Sequence, residues 1–336
     1  MCPYKCDVCH HLKMSSCNDT CPISEFSTKV IILIPFTLAV GVPCIVLNAF
    51  ILIIFFTKQT LRDNLYHCLV AMLSFSDLLV GLGYLSYAIQ NLGYASSGFS
   101  EAMCIIKTAF VVSGTLMSLS QTFVIGLQRY LVLFHKNWNN ALFKGSRKYT
   151  VCIVSWVVIL IFSVGLISPQ QEYSSDIICH VEYVYNKFYT IFMAFNRFMI
   201  ILLVTTIIFY CITLRYIMKI NKKVLPKQQD ANQQTSTDQS IRHAQREEHQ
   251  HQVIGKKLGN TMTLVGLLLG CLLVCTAPFF LSFIFPEVPK AFTVISACLC
   301  GLNSIINPIL YSLKIRALRK IVKDIITCAK IHVQSR

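Results

Sequence analysis

Seven stretches of this chain are apolar over roughly eighteen residues or more: about 29–57, 65–91, 102–134, 149–169, 188–219, 257–285 and 290–312. A helix of about 20 apolar residues crosses the hydrocarbon core of a bilayer, so each run is long enough to span. In hydrocarbon every backbone polar group must be satisfied internally, which leaves only helices and closed barrels. A barrel needs short alternating strands, and no run here alternates. The chain reads as an all-α membrane protein, a seven-transmembrane helix bundle over residues 29–312. Composition agrees: 54% of residues are hydrophobic, 13% are charged and the mean hydropathy is +0.59. Asn196-Arg197 interrupts the fifth run, and polar residues thin the seventh.

Basic residues set the expected orientation. Segments 58–64, 129–148, 215–257 and 314–336 hold two, five, nine and seven lysines and arginines, 23 of the 30. Basic loops stay cytoplasmic, which places the N-terminus outside and the C-terminus inside. Asn18-Asp19-Thr20 is an N-glycosylation sequon in the expected extracellular tail. The net charge of +15 is accounted for by this bias and by attraction to anionic inner-leaflet lipid, so it calls for no nucleic-acid partner. Residues 1–28 carry no apolar core of a cleavable signal peptide, and the first span is expected to act as the insertion signal.

The sixteen cysteines divide by compartment. Cys2, Cys6, Cys9, Cys17, Cys21, Cys104 and Cys179 fall outside, where disulfides persist. Cys104, at the top of the third span, is placed to reach Cys179 in the loop before the fifth, which would hold that loop over the extracellular mouth. The five tail cysteines cannot all pair with one another, leaving one free, intermolecular or bridged elsewhere. Cys6, Cys9, His10 and Cys17 also admit a zinc reading with partial spacing. The cysteines within or beside spans read as small packing residues.

On the inner side, Lys222–Gln252 is rich in Gln, Ser, Thr and His and nearly free of large apolar residues, which predicts a disordered third cytoplasmic loop. After the seventh span, Leu313, Ile315, Leu318, Ile321, Val322, Ile325 and Ile326 share one helical face, opposite Lys314, Arg316, Arg319, Lys320 and Lys323. Residues 313–336 therefore read as a cytoplasmic interfacial amphipathic helix and tail. Cys328 in it reads either as a palmitoylation site or as a plain cytosolic thiol.

Within the seventh run lies Asn303-Ser304-Ile305-Ile306-Asn307-Pro308-Ile309-Leu310-Tyr311. A proline inside a helix removes an N–H and costs about 3 kcal/mol in water. In hydrocarbon the carbonyl it frees must find another partner. Asn303, Ser304 and Asn307 are unsuited to lipid and suited to a polar bundle interior, so the run reads as a functional bend.

Taken together, Asp77 in Leu73-Ser-Phe-Ser-Asp77-Leu, Cys104, Arg129-Tyr130, Trp156, Cys179, Pro278 and Asn307-Pro308-x-x-Tyr311, on seven spans, resemble a rhodopsin-like (class A) G-protein-coupled receptor over essentially the whole chain. Asn48 matches the family's first-span asparagine, preceded here by Leu47 rather than glycine. The resemblance implies a non-enzymatic plasma-membrane receptor whose partners are an extracellular ligand and a heterotrimeric G protein. It further implies a sodium site at Asp77, Ser118, Asn303, Ser304 and Asn307, with no other cofactor. Asp77 alone is an ionisable group buried in a span, which is costly and by default functional; a protonated aspartate hydrogen-bonded within the bundle is the plainer reading.

The resemblance assigns the activation switch to Arg129, Tyr130, Tyr210, Pro278, Asn307, Pro308 and Tyr311. In the family an acidic neighbour restrains this arginine; here that neighbour is Gln128, and the second acidic position, at the base of the sixth helix, is Leu258. Two missing carboxylates imply raised basal activity. Thr276 replaces the usual sixth-helix tryptophan, Leu272 the usual phenylalanine, and Leu202 the usual fifth-helix proline. Val111 stands where amine receptors carry an aspartate, which argues against a monoamine. Lys107, Val111, Arg197 and Thr276 are the candidate pocket residues. The two cations suit an acidic ligand, whereas Glu172, Asp176 and Glu182 in the outer loop suit a basic peptide, so a peptide and a small organic molecule both stay open.

A transporter or channel would show an inverted repeat or paired broken helices, and neither is apparent. A seven-span enzyme would need a metal or nucleophile cluster within the spans, whose single histidine is His67 at an edge. The alternative that survives is an atypical receptor that signals weakly or partners another receptor.

Overall fold

The computed structural model describes residues 23–97, 101–168, 184–231, 263–279, 281 and 290–334. Outside them lie the cysteine-rich tail with Asn18, the loop carrying Cys179, most of the third cytoplasmic loop, and the inner end of the sixth span with Leu258. The described chain forms helices α1 (Ile23–Thr57), α2 (Gln59–Arg62), α3 (Leu65–Ser97), α4 (Glu101–Phe134), α5 (Lys136–Phe143), α6 (Arg147–Ser163), α7 (Tyr189–Ala231), α8 (Thr263–Phe279), α9 (Lys290–Lys314) and α10 (Arg316–Gln334), with no strand among these residues.

Helices α1, α3, α4, α6, α7, α8 and α9 fall on the seven apolar runs in order. Five contain a segment long and apolar enough to cross a membrane: Ile34–Thr57, Leu65–Ile89, Ala102–Phe134, Tyr189–Lys219 and Ile295–Lys314. The fourth span joins the interfacial α5 through a 74° bend made around Gly145 at φ 65°, a left-handed conformation that glycine adopts without strain. The described part of the sixth span, Thr263–Phe279, is apolar but shorter. Val46, Ile53, Phe56, Ile161, Ile201 and Val274 are exposed, the outward apolar surface that hydrocarbon would cover.

Between apolar helices in lipid there is little hydrophobic drive, so close backbone approach has to supply the packing. A Cβ on Gly114 of α4 would stand 2.8 Å from the Val80 nitrogen of α3 and 2.9 Å from the Ser76 carbonyl oxygen; one on Gly83 of α3 would stand 2.9 Å from the Val111 nitrogen. Gly41 of α1 meets α3 at the Leu85 nitrogen, and Gly301 of α9 meets Val40 and Tyr84. These contacts draw α1, α3, α4 and α9 together around one buried layer.

Two expected boundaries move. The fourth-span helix ends at Ser163, short of 169. There Val164 and Gly165 both donate to the Leu160 carbonyl, at 2.8 and 3.2 Å, and the Tyr185 hydroxyl donates to the Ser163 carbonyl. At the inner end of the fifth span, α7 continues to Ala231, so the loop expected to be disordered from Lys222 is helical for its first ten residues. Lys, Leu and Gln in this stretch are good helix formers, and the helix continues through Pro226 despite the backbone donor that proline lacks. The amphipathic helix forms, and Ile315 and Leu318 bury against the inner ends of the spans.

Candidate functional site

Pro308 lies inside α9. Lacking an N–H, it leaves the carbonyl four residues earlier, that of Ser304, without its helical donor. Asn48 of α1 fills the vacancy: its Nδ2 donates to the Ser304 carbonyl at 2.9 Å and to the Cys44 carbonyl at 2.9 Å. The proline and the asparagine are thus two halves of one device on two helices.

Around it sits a buried polar layer. Asp77 is fully buried, and each of its carboxylate oxygens accepts one hydrogen bond: Oδ1 from the Ser304 hydroxyl at 2.9 Å, Oδ2 from Asn307 Nδ2 at 2.8 Å. The Cys44 thiol donates to the Asp77 backbone carbonyl at 3.1 Å. Ser118 lies within electrostatic reach of the carboxylate. Ser118 Oγ, Asn303 Oδ1 and Asn48 Oδ1 are buried without a hydrogen-bond partner. An unsatisfied buried oxygen costs about 1–3 kcal/mol, so this layer calls for water or a cation. Among the described residues no three His, Cys, Asp or Glu gather to hold a metal. One carboxylate with hydroxyl and amide oxygens is instead the chemistry of a hard cation.

At the inner end of α4, the Arg129 guanidinium lies over the Tyr66 ring of α3, 4.4 Å from its centroid. Arg129 Nε is buried without a partner, as is Gln128 Oε1, so the amide in the acidic neighbour's place makes no hydrogen bond to it. Tyr311 is fully buried, its hydroxyl unpartnered. The Tyr210 hydroxyl rests on α8, where a Cβ on Gly266 would stand 2.1 Å from it. Neither tyrosine bonds to Arg129 in this conformation. Tyr130 stacks on Phe209 of α7 with centroids 4.8 Å apart, and Phe134 meets Tyr216 at 4.9 Å. These pairs zip the inner ends of the third and fifth spans.

The outer half sorts the candidate pocket residues. Cys104 is buried and disulfide-bonded; the expected partner, Cys179, lies outside the described residues. Lys107 is buried, its ammonium 4.2 Å above the Tyr87 ring. Arg197 is exposed, while its neighbour Asn196 is buried and donates to the Phe192 carbonyl at 2.8 Å. The helix buries Asn196 and leaves Arg197 exposed. Val111 packs on Gly83 of α3. Thr276 is buried, and its hydroxyl donates to the Leu272 carbonyl at 2.5 Å, so its proton is committed and its oxygen keeps only acceptor capacity. Pro278 sits at the outer end of the described α8.

The sequence from residue 47 to residue 311 matches the family described as 7 transmembrane receptor (rhodopsin family). The chain belongs to that family. It is a multi-pass membrane receptor of a class that acts through G proteins, which bears out the resemblance read from the motifs.

Two features of this receptor were not read from its sequence. Tyr66 was passed over because nothing local marks it as an arginine's partner; the missing acids at 128 and 258 were the available signal that Arg129 would need another. The aromatic zipper had a trace in the sequence, aromatics at 130 and 134 on one helix and at 209 and 216 on another, spacings that share a face.

Proposed function

We propose that this receptor lies in the plasma membrane with its N-terminus outside, binds an extracellular ligand that is not a monoamine, and activates a heterotrimeric G protein by opening its cytoplasmic face. The observation that carries this reading is Arg129. A cation at the inner end of the third span is held by an aromatic face rather than a carboxylate, and the Tyr210 and Tyr311 hydroxyls stand off it. Movement of α8 away from Tyr210 would free that tyrosine to turn toward Arg129, and the arginine would leave Tyr66 for the G protein.

The restraint supports raised basal activity. A cation–π contact contributes about 0.5–2 kcal/mol, against about 1.5–3 kcal/mol for a hydrogen bond to a charged group. The inactive state is accordingly held less firmly than with an acidic neighbour. Asp77, Ser118, Asn303, Ser304 and Asn307 would hold a sodium ion in this state, and the orphaned oxygens of Ser118 and Asn303 fit that role. Sodium would bias the bundle only through a higher affinity for the compact layer. Cys104 and Cys179 are proposed to pair and tether the outer loop.

The test is G-protein activation in transfected cells at matched surface expression. Wild type should activate above mock-transfected cells, and Arg129→Ala should abolish the signal. Equal signals from the two would instead make this an atypical receptor that partners another.

A further inference from the structure

Lys107 is a buried cation with nothing negative beside it among the described residues. It is 9% exposed and sits three residues past Cys104, about 4.5 Å or one helical turn below the disulfide-bonded outer end of α4. Its ammonium faces the Tyr87 ring at 4.2 Å, and no ion pair or hydrogen bond to it is present among the described residues. Within the described spanning segments the sole carboxylate is Asp77. Asp77 lies ten residues, about 15 Å, below Tyr87 on α3, with both oxygens already bonded to Ser304 and Asn307. An ionisable residue inside a membrane bundle is expensive and marks a functional site when no partner accounts for it. One aromatic face compensates only part of the lost hydration.

The surroundings define what would complete the site. One turn below Lys107 is Val111, which offers neither charge nor hydrogen bond and packs on Gly83. Arg197, the other outer-half cation, is exposed. A single ammonium matches a single compact negative charge; phosphate and sulfate groups are usually clamped by several cations or a forked guanidinium. We propose that Lys107 and Tyr87 form the recognition point for a carboxylate on a small organic ligand, whose apolar body lies toward Val111. This rests on the outer half of the bundle being the ligand pocket. The ammonium donates to the carboxylate, and the Tyr87 ring holds that ammonium in place when the ligand is absent.

The test uses the full-length receptor purified into nanodiscs. Its melting temperature is measured with straight-chain monocarboxylates from acetate to octanoate and with phenylacetate and indoleacetate, each beside its primary amide. The proposal expects members of the acid series to raise the melting temperature and their amides not to. Lys107→Met should lower the affinity for the best acid by about 10–100-fold, the loss of one charge-assisted hydrogen bond, while Lys107→Arg keeps the preference for acids. Should no acid stabilise the wild type more than its amide, or should Lys107→Met retain the preference, the proposal is wrong. Arg129→Ala separates this from the signalling reading. It should keep the acid-dependent shift while losing G-protein activation, and acid binding without any activation by wild type would overturn the signalling reading alone.

Discussion

Asn48 on the first span donates a hydrogen bond to the Ser304 carbonyl on the seventh, 2.9 Å away, the carbonyl that Pro308 deprives of its own helical donor. A bend that hydrocarbon would penalise is thereby fixed to a neighbouring helix. Asn48→Leu should leave the Ser304 carbonyl short of a donor and cost about 1–3 kcal/mol. The check is thermal unfolding in nanodiscs, where the midpoint should fall by on the order of 5 °C. Val46→Leu, on the exposed face of the same helix, should leave it unchanged.

The Asp77 layer gives a second prediction. Replacing choline chloride with sodium chloride at equal ionic strength should raise the melting temperature of the wild-type receptor, by mass action on the folded state. Asp77→Asn keeps the shape and removes the charge, and should abolish the sodium-specific part. A sodium response of the same size in Asp77→Asn would show that the ion binds elsewhere.

A third prediction concerns the slot that holds Tyr210. A methyl group on Gly266 would stand 2.1 Å from the tyrosine hydroxyl, closer than any real contact, so Tyr210 must leave the surface of α8. Gly266→Ala should therefore raise ligand-free signalling at matched surface expression, and the increase should shrink in a Tyr210→Phe background. An unchanged basal signal would mean that this contact does not hold the sixth span in place.

The fold was legible because its governing signal is long-range and crude. Seven runs long enough to span map onto seven helices, and Pro308 with Asn303, Ser304 and Asn307 announced a polar layer before any neighbour was known. What was not legible is which face of each helix turns inward. In a soluble helix the polar face marks the outside. In a bilayer both faces are apolar, because lipid is as greasy as the neighbouring helix. The sequence does not tell which of Asn196 and Arg197 is buried, and in the structure it is Asn196. The same blindness hid Tyr66: its meeting with Arg129 depends on how the second and third spans cross, which the close approach of Gly114 and Gly83 to α3 and α4 backbone sets. The extent of α7 was missed for a different reason, since polar composition predicts solvation and does not forbid a helix.

The central claim is that Tyr66 restrains Arg129 in place of the missing carboxylates. The most direct measurement is ligand-free G-protein activation by Tyr66→Ala, Tyr66→Phe, Gln128→Glu and Arg129→Ala at matched surface expression. Losing a cation–π contact of about 0.5–2 kcal/mol should raise the active population by about 2–30-fold while it is a minor state. Tyr66→Ala should thus signal above wild type, whereas Tyr66→Phe, which keeps the ring and loses only an unpartnered hydroxyl, should match it. Gln128→Glu should fall below wild type, and Arg129→Ala should be silent. Tyr66→Ala signalling no more than wild type, with Gln128→Glu unchanged, would contradict the account.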